Sequence, residues 1–239
     1  MPGPSRPSAA RWSRPAPLGA LVLGGRCPCG RPGPSPCGTC AATARAPAPG
    51  PTPPGLDLLL VGRAYAGITR EVVARVKYRN ERAAVDWLLE PLVTALAAHG
   101  VAAGDLTVTW APTTDARRRA RGFDHGAVLA AALARSIGRG SRSTLRRLDA
   151  LPQTGRDRAA RIAGPRFEAR RAVRGPVLLV DDVVTTGSTV SGAARALRAA
   201  GASAVIGACV ARAGEAGVRA AGHGPIRHDS ERSPQGAIR

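Results

Sequence analysis

The densest chemistry in the sequence lies in residues 177–189, Val-Leu-Leu-Val-Asp-Asp-Val-Val-Thr-Thr-Gly-Ser-Thr. A continuous apolar run, Val177 to Val180, has the character of a buried parallel strand. Asp181 and Asp182 follow it, at the carboxyl end of the strand where open α/β sheets take their ligands. Thr185, Thr186, Gly187, Ser188 and Thr189 then lead into a helical pattern, so backbone N–H groups, hydroxyls and a helix dipole can converge on a phosphate. Two acids for hydroxyls or a metal therefore stand a few residues from a phosphate cradle, a separation that suits a ribose 5-phosphate. Other phosphate motifs fail on particular residues. No Lys follows Gly187, which excludes a P-loop, and the single Gly excludes a dinucleotide fingerprint. A phosphorylated receiver domain would need a further strand-borne Asp, and beyond Asp182 only Asp229 remains. Two acids that merely capped a helix would leave the hydroxyl and Gly loop unexplained.

A second cluster lies near the start of the chain. Four of the five cysteines fall within fourteen residues, as Cys27-Pro-Cys29 and Cys37-Gly-Thr-Cys40. The short apolar stretch at residues 18–24 lacks a small-x-small cleavage site, and Arg26 stands before Cys27 where a lipid-anchor signal needs a small residue. The chain is therefore read as cytoplasmic, where clustered pairs hold a metal more often than they form disulfides. Four thiolates closing a tetrahedron on Zn²⁺ make a structural site, with free thiols as the alternative because the first pair is C-x-C. Cys209, alone in an apolar run, reads as a small core residue.

Charge gives a third signal. Lys plus Arg number 35 against 16 acids, a formal net charge of +19, and Lys77 is the only lysine. Residues 111–176 alone carry 16 Arg and 5 acids, including Arg117, Arg119 and Arg121. Such a guanidinium field suits phosphate-rich ligands, either nucleic acid or a polyphosphorylated small molecule. Three Trp, two Tyr and two Phe in 239 residues argue against extensive base stacking. The 44% hydrophobic content excludes overall disorder, and no apolar run is long enough to span a membrane.

These groups need a scaffold to position them. Residues 1–17 are Pro-, Ser- and Arg-rich and read as disordered, 18–45 as the zinc-knuckle segment and 46–55 as a Pro-rich linker. Residues 56–213 carry the periodicities of a folded domain, and 214–239 read as a disordered tail. Within the domain, strands are expected at 58–61, 106–110, 177–180 and 204–210. Helical spacing marks Ile68 to Val76, Trp87 to Leu96, His125 to Ile137 and Val190 to Ala200, and an Arg-rich loop precedes His125. Strands alternating with helices specify an α/β fold with a mainly parallel sheet flanked by helices.

Residues 177–189 closely resemble the phosphoribosyl-diphosphate (PRPP) motif of type I phosphoribosyltransferases. The rest is similar to the ComF family, competence-protein-like phosphoribosyltransferases with an N-terminal zinc knuckle. Tyr65-Ala-Gly-Ile-Thr-Arg70, Lys77-Tyr78-Arg79, the run from Arg117 to Phe123, Gln153-Thr154 and Arg161 carry that resemblance. It departs at Asp124-His125, where the family has Asn-Gln, and in the segment after Arg161, which lacks an Asn and is about two residues short. The resemblance implies a type I phosphoribosyltransferase fold and transfer of a phosphoribosyl group from PRPP, with Mg²⁺ and release of pyrophosphate. Asp181 and Asp182 would meet the ribose hydroxyls and the metal, and Thr185 to Thr189 the 5-phosphate. Arg117, Arg119, Arg121, Gln153 and Arg161 would lie on the pyrophosphate side. His125 could serve as a base, but a lone His at a helix start is more often a cap or a surface residue. The family's link to competence implies the alternative of an accessory protein that binds single-stranded DNA beside a helicase-like partner.

Overall fold

The computed structural model describes residues 26–101, 105–148 and 164–214. Its centre is a four-stranded, wholly parallel sheet in the order β1-β6-β5-β2. The strands are β1 (Leu58–Ala64), β2 (Thr107–Trp110), β5 (Pro176–Val184) and β6 (Ala204–Arg212). β5 and β6 are interior and buried on both faces, as expected of near-continuous apolar runs. A separate two-stranded antiparallel sheet joins β3 (Leu145–Leu148) to β4 (Arg166–Ala169).

Helices cover both faces. On one, α2 (Gly67–Arg79), α3 (Val85–Ala98) and α5 (His125–Ser136) bury Val72, Val76, Leu88, Leu92, Leu129 and Leu133 against Leu178, Val180 and Val210. On the other, α6 (Ser188–Ala199) sets Val190, Ala193, Ala194 and Leu197 against Val177, Leu179 and Val205, beside the β3–β4 sheet. At about 25 cal/mol for each Å² of apolar surface removed from water, these two layers are what hold the sheet. α6 lies so close to β4 that a side chain at Gly192 would meet the Pro165 carbonyl and the Phe167 ring. The remaining helices are short: α1 (Gly38–Ala41) within the cysteine cluster and α4 (Asp115–Arg121) after β2.

Three expectations change. The Arg-rich segment after β2 is a helix rather than a loop, capped by Thr114, whose Oγ1 accepts from the Arg117 amide at 3.2 Å, and ended by Gly122 at φ 76°. β5 runs four residues past Val180 and takes both acids into the strand. The β3–β4 pairing was not foreseen. No helix among the described residues is long and apolar enough to cross a membrane.

Candidate active site

β2 ends at Trp110, opposite Val180, whereas β5 continues beside β6 to Val184. The sheet therefore opens on one side of β5 from Asp181 onward. There the Asp182 amide, facing no neighbouring strand, donates to Asp181 Oδ1 at 2.9 Å, and the Val183 amide donates to Asp182 Oδ1 at 2.6 Å. Successive strand residues point to opposite faces, so the two acids part company. Asp181 lines a shallow, open hollow with Val183, Thr185, Gly187, Ser188 and Thr189, on the α6 face. Asp182 faces α2 and α5 instead.

The α6 face carries the phosphate cradle. Gly187 is the N-cap of α6 at φ 79°, a conformation in which other residues are strained, and no side chain caps the helix. Thr186 and Ser188 hydroxyls lie 3.2 Å apart across it, and the Ser188 amide donates to Thr186 Oγ1 at 3.4 Å. Thr185 and Thr186 are exposed, and Ser188 and Thr189 are partly so. The space behind Gly187 is taken by the Pro-rich segment: a Cβ there would sit 2.6 Å from Pro53 Cγ.

On the opposite face, Asp182 Oδ2 meets Lys77 Nζ and His125 Nε2, each at 2.6 Å. Burial alone would raise the Asp182 carboxyl, but the Lys77 ammonium and then His125 outweigh it and hold it well below the usual carboxylate range. Burial likewise pulls Lys77 down, and the Asp182 charge more than offsets it, leaving Lys77 above its ordinary value. Asp181 has no ion-pair partner among the described residues. Burial, reinforced by the Asp182 charge, pushes its carboxyl up to about 8, and Lys77 and Arg147 lower it only as lesser influences. One acid is thus a fixed carboxylate in an ion pair, and its neighbour holds a proton at neutral pH.

Behind this pair the site is braced by Asp124. Its Oδ1 accepts from the Gly126 amide at 2.9 Å and caps α5, and its Oδ2 accepts from Trp110 Nε1 and the Thr113 amide, each at 3.3 Å. One carboxylate so ties β2, the entry to α4 and the start of α5 together. His125, the next residue, is buried, with Nδ1 3.3 Å from Arg121 Nη1. Arg117 and Arg119 are exposed on α4, while Gln153 and Arg161 lie outside the described residues. Lys77 and His125 were read from the sequence only through the family resemblance and as a cap or base, and their meeting at Asp182 was not foreseen.

The four cysteines come together as their spacing suggested. All four sulfurs lie within 4.8 Å of one another, and Cys29 and Cys37 are 3.8 Å apart. Zn–S bonds of about 2.3 Å in a tetrahedron put the sulfurs about 3.8 Å apart, so the cluster fits zinc. The Cys37 amide donates to Cys27 Sγ at 3.2 Å. Burial works against ionisation of Cys27, but backbone N–H groups from Cys37 and Cys29 and the neighbouring thiols prevail and bring it to about 6, favouring a thiolate. The cluster docks on α2 through Arg75, whose Nη1 donates to the Arg26 carbonyl at 2.8 Å.

With this geometry in view, the chain matches the family model of the phosphoribosyl transferase domain over residues 125–230. The matched segment opens at His125 and contains β5, both acids, the cradle and α6. No curated protein matches the chain. The fold is thus α/β, a mainly parallel sheet with flanking helices whose second half matches a phosphoribosyl transferase domain, with a four-cysteine cluster before it.

Proposed function

We propose that this protein is a ComF-like phosphoribosyltransferase that takes PRPP with Mg²⁺ and transfers its phosphoribosyl group to an acceptor. The observation that carries the reading is the hollow shared by Asp181 and the Thr185–Thr189 loop at the start of α6, within the segment matching the transferase domain. The 5-phosphate would rest on the loop's amides and hydroxyls, with the α6 dipole behind them. Asp181 would meet the ribose hydroxyls. The bond between C1 and the pyrophosphate oxygen breaks with its electron pair on the leaving group, while the acceptor's nucleophilic atom bonds to C1 and loses its proton. Positive charge then grows on the ribose and negative charge on pyrophosphate, so stabilising both ends matters more than a strong base.

Mg²⁺ usually takes one or two carboxylates together with substrate phosphates, and Asp181, beside the phosphate loop, fits that role once the incoming cation displaces its proton. When bound, the ion would neutralise charge on the leaving group. Both oxygens of Asp182 are already engaged, by Lys77, His125 and the Val183 amide. Its part is therefore to anchor β5 rather than to meet the metal. Zn²⁺ at Cys27, Cys29, Cys37 and Cys40 would be structural, since four thiolates leave no open position. The test is titration of the full chain with PRPP, with and without Mg²⁺, beside a single-stranded DNA titration. Mg²⁺-dependent PRPP binding is expected. Strong DNA binding with no PRPP binding would overturn the reading in favour of a nucleic-acid accessory protein.

A further inference from the structure

We propose that Arg121 is the residue of α4 that binds the pyrophosphate end of the substrate, and that His125 is a positioning residue linking it to Asp182. The inference rests on the PRPP reading above and narrows it to named contacts. α4 follows β2, the strand beside β5, and so stands at the same sheet edge as Asp181. Its four arginines are not equivalent. Arg118 is exposed and paired with Asp115 at 3.0 Å. Arg117 and Arg119 are exposed and have no side-chain partner among the described residues. Fixing either on an anion would cost its full rotamer freedom.

Arg121 is already held. Its guanidinium carbon lies 4.8 Å from the centre of the Tyr78 ring, and Nη1 is 3.3 Å from His125 Nδ1. Tyr78 is 66% exposed, and the stack gives this otherwise unpacked ring a role as the floor under Arg121. A guanidinium only donates, so Nδ1 must accept. The ring proton then resides on Nε2, which faces Asp182 Oδ2 at 2.6 Å. Lys77 holds the same oxygen from α2. A chain of contacts thus runs from the exposed helix to the buried ion pair, Arg121 to His125 to Asp182 to Lys77. Arg121 keeps further N–H donors for an anion, and they are oriented before it arrives.

This geometry distinguishes replacements at position 125. Gln can accept from Arg121 with its amide oxygen and present its nitrogen to Asp182, in place of the two ring nitrogens. Leu fills similar space and does neither. Inorganic pyrophosphate with Mg²⁺, titrated calorimetrically against the full chain, is the probe. Arg121→Ala should weaken binding about 10-fold or more, the loss of one charge-assisted contact. His125→Leu should weaken it about 5- to 10-fold, and His125→Gln should stay within about 2-fold of wild type. Added to Arg121→Ala, His125→Leu should bring little further loss, because the ring acts through that arginine.

Wild-type affinity in His125→Leu, equal losses in the Leu and Gln variants, or fully additive losses would each overturn the proposal. If His125→Leu fails to fold, Tyr78→Ala removes only the exposed floor and should weaken binding about 3-fold, and unchanged affinity there overturns it equally. A wild-type protein that binds neither pyrophosphate nor PRPP overturns the transferase reading as well. One that binds both while ignoring His125→Leu overturns this inference alone.

Discussion

Asp181 and Asp182 are adjacent and chemically identical, yet their removal should act in opposite directions. Asp182 holds Lys77 and His125, whose side chains are only 24% and 11% exposed. Asp182→Ala strands the Lys77 ammonium in a largely closed site, and breaking a buried pair in this way costs about 3–5 kcal/mol. In a domain of this size that corresponds to a fall in Tm of roughly 6–20 °C. Asp182→Asn still accepts through its amide oxygen and should cost less. Asp181→Asn removes a carboxyl that burial disfavours and keeps the oxygen that accepts from the Asp182 amide, so stability should be unchanged or higher. The pH dependence has a definite sign. The folded Asp181 carboxyl is raised from about 3.8 to about 8, so the native state holds a proton that the unfolded chain releases. Its favourable contribution is complete below about pH 4 and is lost as the pH rises through about 8. The advantage of Asp181→Asn over wild type should therefore grow from pH 5 to pH 9. Urea denaturation of the three single variants and wild type at both pH values measures all of this, with equal m-values as the check on two-state behaviour. Asp182→Ala no less stable than Asp181→Asn would refute the division of the two acids between faces.

Two further outcomes follow from the packing around the site. Gly187→Ala should lose about 2–4 kcal/mol, from the strain of φ 79° and the clash with the rigid Pro53 ring, and Pro53→Gly should recover the clash but not the strain. Denaturation of both singles and the double variant reads this, and a Gly187→Ala chain as stable as wild type would refute it. Purified protein should carry one zinc per chain, and Cys27, fully buried, should resist alkylation until a chelator strips the metal. Metal analysis showing no zinc, or immediate alkylation of Cys27, would rule that out.

The sheet was legible in the sequence because its interior strands are continuous apolar runs and α6 repeats Val190, Ala193, Ala194 and Leu197 on one face. β3 and β4 were not, since Leu-Arg-Arg-Leu and Arg-Phe-Glu-Ala are too short and too charged to show a period. α4 buries no residue and so has no helical stripe. Its signal was in its ends, Thr114 as N-cap, Asp115 in the first turn and Gly122 beyond the last. The separation of the acids follows from strand alternation once β5 is carried through them, and ending the strand at Val180 concealed it. The convergence of Lys77 and His125 on Asp182 joins three elements far apart in the chain, and no local spacing encodes it.

Gly187 carries a second constraint that a local reading does not show. A glycine in a phosphate loop suggests that substrate must approach the backbone, and that the space is kept clear for it. Here the space beside its Cα is filled by Pro53, itself buried, from the segment that composition alone marks as a linker. Just before that segment the Arg45 carbonyl accepts from the Ala64 amide at 2.9 Å, and at its end Gly55 packs against Ala194 of α6. The chain therefore runs from the cysteine cluster past the C-terminal end of β1 to the back of the phosphate loop. Proline suits such a path, because its fixed φ lowers the entropy lost when an extended segment is held in place. The N-terminal segment thus reaches the site at two points, through Arg75 on the helix that carries Lys77 and through Pro53 behind the cradle. A structural metal placed there would steady both faces of β5, the one that holds Asp182 and the one that receives the phosphate.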